Sequence, residues 1–209
     1  GLSLNSIYYY TKEEYGAEYE QALTDEQIKQ NGERIAKEVV SRMRKIAGLE
    51  EVPIVVGLFK QNSNNAIVPG TYFEYGVASK GGNLSDWKPI NEEYIMFPSS
   101  DAEKKYRDLN TIFSNFKRDV EEYFSNYTSV IGTGYFKDEQ LQKLTIEIPI
   151  QFFGSAELIG FTQQLAGYMK ANFPASMNVE IQVNSLDGAE ALLVKEAGEE
   201  DAFVHIYNH

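Results

Sequence analysis

The stretch from Leu144 to Phe153 constrains the fold more than any other part of this chain. Leu144, Ile146, Ile148, Ile150 and Phe152 alternate with Thr145, Glu147, Pro149 and Gln151. That period of two is the signature of a strand with one buried side. Apolar residues at helical spacing follow at Leu158, Phe161, Leu165 and Met169, and alternation resumes at Met177, Val179, Ile181 and Val183. The segment reads strand, helix, strand.

The same order occurs earlier. Thr24 is placed to cap a helix, with Gln27 at the reciprocal position of a capping box and Asp25 and Glu26 favourably set against the helix dipole. Ile28, Ile35, Val39, Met43 and Ile46 form its expected buried stripe, and Gly48 is the expected stop. Val52, Ile54, Val56 and Leu58 then alternate, and an offset of 125 residues carries them onto Met177, Val179, Ile181 and Val183. Downstream of each strand lie two short returns, Ala66 to Val68 with Tyr72 to Ala78, and Ala191 to Lys195 with Ala202 to Tyr207. These patterns predict an α+β fold made of two β-α-β-β repeats, with mainly antiparallel sheets packed against long helices. Residues 1–98 form the first repeat, 99–140 a connecting helix and strand, and 141–209 the second repeat.

Leu4 to Tyr10 is expected as a strand, and Thr11 to Ala22, with Gly16 inside it, as a loop or short irregular helix. Lys80 to Asp86 reads as a loop closed by Trp87, and Tyr94 to Phe97 as a short strand. Ser100 and Glu103 suggest a second capping box, opening a helix to about Phe124 with a stripe of Tyr106, Leu109, Phe113, Phe116, Val120 and Tyr123. Tyr127 to Phe136 reads as a strand with a bend or bulge at Gly132, Thr133 and Gly134. Those glycines lack the lysine and helix start of a phosphate-cradling loop.

Charge and composition narrow the partners. A net charge of −12 repels nucleic-acid backbones and anionic membrane surfaces, so neither DNA nor RNA is expected to bind. The chain has no Cys, which excludes disulfides, thiolate metal sites and a cysteine nucleophile. Its two histidines, His205 in a strand-like run and His209 near the end, do not make a metal constellation. No transition metal and no cofactor are expected, with calcium on acidic loops left open.

What stands out is tyrosine. Tyr8, Tyr9, Tyr10, Tyr15, Tyr19, Tyr72 and Tyr75, together with Trp87, offer rigid contact area with a polar handle if exposed, and ordinary sheet packing if not. Loops on a rigid scaffold are the other usual carriers of recognition. Gln61 to Asn65 and Lys80 to Trp87 qualify, and their candidate ligand-binding residues are Tyr72, Glu74, Trp87, Asn62, Asn64 and Asn65. A tight hairpin would put these two loops at opposite ends of its strands and forbid a shared pocket. No catalytic residues are identified.

The opening run Gly-Leu-Ser-Leu-Asn-Ser-Ile-Tyr-Tyr-Tyr-Thr-Lys-Glu-Glu-Tyr-Gly, the later Val-Pro-Ile-Val-Val-Gly-Leu-Phe-Lys-Gln and the Val-Pro-Gly-Thr-Tyr-Phe-Glu-Tyr-Gly run resemble the CamS family of Gram-positive sex-pheromone-precursor lipoproteins. The resemblance extends over essentially the whole chain. It implies a pheromone peptide released from the signal peptide and a mature domain outside the cell on a lipid anchor. The sequence starts at Gly1 and contains neither lipobox cysteine nor signal peptide, so it is read as a domain excised from a longer precursor. Two functions are carried forward. One is a non-enzymatic binding module for an extracellular peptide, glycan or protein, touching the membrane only through that lipid. The other is a cell-wall or peptide hydrolase working through a pair of carboxylates.

Overall fold

The structure is a computed structural model that describes residues 1–209 apart from 65, 124–128, 152–153 and 208–209. It divides into two units, Gly1–Glu92 and Glu93–His209, and its mixture of helices with mostly antiparallel strands makes it α+β.

In the first unit the strands β1 (Leu2–Asn5), β2 (Ile7–Thr11) and β3 (Glu18–Ala22) precede helix α1 (Asp25–Met43), which leads to β4 (Ile54–Gln61), β5 (Gly70–Ala78) and β6 (Leu84–Pro89). One sheet runs β1-β4-β5-β6, while β2 and β3 pair with each other alone. The second unit carries β7 (Glu92–Phe97), α2 (Ser100–Lys105), α3 (Arg107–Tyr123), β8 (Ile131–Lys137), β9 (Gln140–Pro149), α4 (Ser155–Asn172), β10 (Val179–Asn184), β11 (Ala189–Lys195) and β12 (Phe203–Ile206). Its sheet order is β12-β11-β10-β9-β8-β7.

The two sheets share a path. β1 lies parallel to β4 across α1, and β9 lies parallel to β10 across α4, each followed by two antiparallel returns. The registers agree as well: Leu58 faces Leu2 and Glu74, as Val183 faces Ile148 and Ala191. The opening alternation fills the centre of the larger core, where Leu144, Ile146, Ile148 and Ile150 pack with Phe161, Leu165, Met169, Val179, Ile181 and Val183. Phe152 lies outside the described residues.

Helix α1 begins as its sequence requires, with both hydrogen bonds of the Thr24–Gln27 capping box in place at 3.2 and 3.0 Å. Its buried stripe differs from the expected one. Ile28, Gly32, Ala36 and Val40 face the sheet, while Val39 and Ile46 are exposed. Small residues win here because the helix lies close to the strands. A Cβ at Gly32 would stand 2.5 Å from Leu4 Cδ1 and 3.1 Å from Leu58 Cδ1.

Other boundaries also move. Ser6 breaks the expected first strand into β1 and β2, which join different sheets, and β3 occupies part of the expected loop Thr11 to Ala22. The first-repeat strand starts at Ile54, leaving Val52 exposed, and Ala66 to Val68 is not a strand among its described residues. Trp87 belongs to β6 and does not close a loop. The second helix is capped by Ser99, not Ser100, and breaks at Tyr106. Tyr106 holds that break in place by donating to Glu93 at 2.6 Å and stacking on Phe136 at 3.9 Å. The predicted end of this helix at Phe124, and Tyr127 and Thr128, lie outside the described residues.

Gly132, Thr133 and Gly134 sit in regular β8, whose register shift falls later, between Tyr135 and Phe136. The glycines serve packing: a Cβ at Gly132 would lie 2.5 Å from the Phe113 ring, and one at Gly134 within 3 Å of both Phe136 and Phe97, at 2.8 and 2.9 Å. Aromatic rings take up the space that side chains on β8 would otherwise fill.

Candidate functional site

The expected site residues do not converge on one place. β5 runs between the Gln61 to Asn65 loop and the loop after Ala78, so the two loops sit at opposite ends of a nine-residue strand, roughly 27 Å apart. Asn62 closes the hairpin, its backbone N–H donating to Pro69 O and its side-chain Nδ2 to Val68 O, both at 2.9 Å. Asn64 is exposed in the turn, and Asn65 lies outside the described residues. At the other end, Arg44 donates to the carbonyls of Ser79 and Leu49 at 2.9 Å and also to Gly82 and Val52. Trp87 packs on the small core of this unit, its ring covering Gly76.

A bulge sorts Tyr72 from Glu74. Leu58 pairs with Glu74 but the next residue, Phe59, pairs with Tyr72, so Phe73 is the extra residue of β5. Tyr72 therefore turns to the side away from the helix, over Gly57 and edge-on to Phe59 at 5.2 Å. Phe73 and Glu74 both face α1. Glu74 is 3% exposed, and Lys29 of α1 donates to its Oε1 at 2.8 Å. Glu74 Oε2 and Trp87 Nε1 are buried without a protein partner. Hydrogen bonding to Glu74 raises the Lys29 pKa, keeping the ammonium charged.

Beside this ion pair opens a cleft of about 360 Å³ between the first turns of α1 and strands β4 and β5. Ile28 and Phe73 give it apolar walls, Lys29 stands at the side where Glu74 is buried, and Lys60 and Asp25 pair across its rim at 2.5 Å. Sequence reasoning found Glu74 but missed Lys29, Lys60 and Phe73. Only the bulge brings Phe73 and Glu74 to the same side, and nothing in the alternation of the strand announces it.

Exposure separates the tyrosines. Tyr8 and Tyr10 lie two apart on β2, and Tyr19 of β3 is directly opposite Tyr10. Their rings stack in series, Tyr8 on Tyr10 at 5.8 Å and Tyr10 on Tyr19 at 5.7 Å. Lys12 Nζ sits 4.5 Å from the centre of the Tyr19 ring. Every residue of β3 is exposed, Tyr8 and Tyr19 remain 58% and 42% accessible, and Tyr15 near the tip is fully in solvent. The sequence reading placed these tyrosines in one population but could not see that pairing with β3 aligns three of them.

Among the described residues no three His, Cys, Asp or Glu side chains gather as metal ligands, and no helix is long and apolar enough to cross a membrane. His205 is exposed on β12 and meets Tyr207 edge-on at 4.8 Å.

Residues 1–201 match the family described as CamS sex pheromone cAM373 precursor. Two solved structures are similar over 99% of this chain at 32% identity: the C-terminal domain of the sex pheromone staph-cAM373 precursor from Staphylococcus aureus, with a TM-score of 0.87, and a sex pheromone precursor from Lactobacillus salivarius, with a TM-score of 0.90. The chain spans 63% and 61% of their respective lengths. A further structure of a sex pheromone staph-cAM373 precursor matches 88% of the chain at 26% identity, with a TM-score of 0.56, over 66% of its own length. No curated protein matches the chain. A family match over nearly every residue, together with these structural likenesses, means that the chain belongs to the CamS sex pheromone precursor family.

Proposed function

We propose that this domain is a non-enzymatic binding module working outside the cell, presented by a lipid anchor on its precursor, and that the tyrosine hairpin β2–β3 is its recognition surface. The location and the anchor are part of this proposal, and membership of a pheromone-precursor family supports them. The binding role rests on one observation, the stack of Tyr8, Tyr10 and Tyr19, whose outer rings Tyr8 and Tyr19 are exposed while Tyr10 between them is half-buried. A two-stranded hairpin is marginal by itself in water. Here the stack stiffens the hairpin while leaving its outer rings exposed, so Tyr8 and Tyr19 are preorganised for contact. The hairpin is also extra to the shared path of the two sheets: it lies between β1 and α1, whereas only residues 150–154 separate β9 from α4. That path itself we read as a duplicated module, one copy of which acquired the hairpin.

The test is binding of the purified domain to washed Gram-positive cell-wall material and to extended peptides, with Tyr8→Ser/Tyr19→Ser beside it. The double variant should lose at least about tenfold in affinity, or about 1.4 kcal/mol, while the circular dichroism of the sheet stays unchanged. Equal binding by the variant, or release of product from wall material or peptide by the domain, would overturn the proposal.

A further inference from the structure

Glu74 is a carboxylate that the fold does not need. At the matching position of the second sheet, opposite Val183, stands Ala191, equally buried at 2% exposure. The first unit instead places a charge there, satisfies one oxygen with Lys29 and leaves the other buried without a protein partner. A buried carboxylate with an unmet oxygen is costly, so its retention calls for a reason beyond packing.

The surroundings indicate what the carboxylate receives. Lys29 reaches it from a side chain that is 48% exposed, so the ammonium can swing into solvent without disturbing the core. Where Lys29 stands, the cleft of about 360 Å³ begins, at the small end of ligand pockets. The cleft has apolar walls of Ile28 and Phe73, with Lys29 standing between it and Glu74, and around the rim Asp25 and Glu26 add negative charge against the single remaining lysine of its lining, Lys60. A group that takes the place of Lys29 meets the buried Glu74 carboxylate behind it, an apolar wall and an acidic rim.

We infer that the Glu74–Lys29 pair is a ligand site occupied by the protein's own ammonium, and that its ligand is a primary ammonium next to an apolar side chain, as in a free amino acid or the N-terminus of a short peptide. Lys29 is the lid: it holds Glu74 satisfied in the empty state and exchanges its hydrogen bond for that of the ligand. The site is separate from the tyrosine hairpin and does not depend on it.

Chemical-shift titration of the domain with leucinamide, N-acetyl-leucinamide, leucine and leucyl-glycyl-glycine tests the inference. Leucinamide should shift the amides of Ile28, Lys29 and Phe73 with a dissociation constant on the order of 1 mM, reasonable for so few atoms. Its acetylated form, lacking the ammonium, should bind at least about tenfold more weakly. The tighter of leucine and the tripeptide names the source of the ammonium. Lys29→Ala should strengthen leucinamide binding several-fold, because no resident ammonium has to leave. Lys29→Ala/Glu74→Ala, which reproduces the alanine found in the second sheet and leaves no buried charge, should abolish binding with the fold intact. The inference is overturned if the acetylated probe binds as well as leucinamide, if no ammonium probe shifts these amides, if Lys29→Ala folds but binds more weakly, or if the double variant binds like the unaltered domain.

Discussion

Replacing Gly132 with alanine tests the claim that the glycines of β8 are there for the rings above them. The added methyl would lie 2.5 Å from Phe113 Cε2 and 3.0 Å from two further ring atoms, and Phe113 is fully buried among Phe97, Phe116 and their neighbours. A ring so enclosed has no free rotamer, so either α3 or β8 must shift. Overpacking of this kind costs about 1–3 kcal/mol. The alanine recovers about 0.4–1 kcal/mol by restricting the unfolded chain, which leaves a net loss of roughly 1–2 kcal/mol. The only Trp lies in the first unit, so its fluorescence does not report this core. Amide exchange at Ile146 and Ile181, in the centre of the larger sheet, does, and it should accelerate by a factor of roughly 5–30. Phe113→Leu removes the ring atoms that clash, so the Gly132→Ala/Phe113→Leu pair should be less damaging than the two single changes added together, by about 1 kcal/mol. Unchanged or slower exchange in Gly132→Ala, or strict additivity in the pair, would refute the packing argument.

Lys195 is buried at 1% exposure and donates to the carbonyls of Pro174 and Met177 at 2.8 and 3.0 Å; burial lowers its pKa. Between its folded pKa and the usual value near 10.5 the unfolded chain holds more protons, so this group makes stability rise with pH across that window. Urea titrations should show that rise diminished in Lys195→Met, and an identical pH profile for both proteins would count against it. Trp87→Ala should destabilise the first unit by about 2–4 kcal/mol, since its ring covers Gly76 in the core, whereas Tyr72→Ala, on the open side of the sheet, should cost about 1 kcal/mol. Comparable losses in urea denaturation would mean that the two rings do not lie on opposite sides of the sheet.

Much of the architecture was legible in alternation and capping. Both strand-helix-strand segments, the Thr24 cap and the common register of Val56 and Ile181 follow from residue type and spacing alone. What escaped was set by distance between elements. The stripe of α1 was misassigned because Ile35 and Val39 are bulkier than Gly32 and Ala36, yet the approach of helix to sheet selects the small pair. β3 was missed because Glu18, Tyr19, Glu20 and Gln21 bury nothing, and a strand with two exposed faces leaves no period of two to read. Of the candidate site, Glu74 was nameable but its partner was not, since Lys29 lies on another element and in the sequence reads as one more solvated charge.

The path common to the two units allows the buried charges of one sheet to be set against those of the other. In the second unit that path encloses a core rich in Phe, Ile and Leu, and its own buried charge, Lys195, is met by two carbonyls of the neighbouring turn. Such a lysine ties down a loop through backbone carbonyls. The first unit fills its smaller core with Ala36, Val40, Leu58, Ala78 and Leu84, and has Ala78 where the second has Lys195, each at the corresponding place opposite Ile54 or Val179. Its charge sits instead at the position of Ala191, facing a helix residue that is half in solvent. A buried charge whose partners are backbone carbonyls is fixed, and one whose partner is a half-exposed side chain is open to exchange. Under the binding role proposed above, the tyrosine hairpin and Glu74 would place recognition in the first unit, while the second unit, with its larger aromatic core, has the packing of a scaffold.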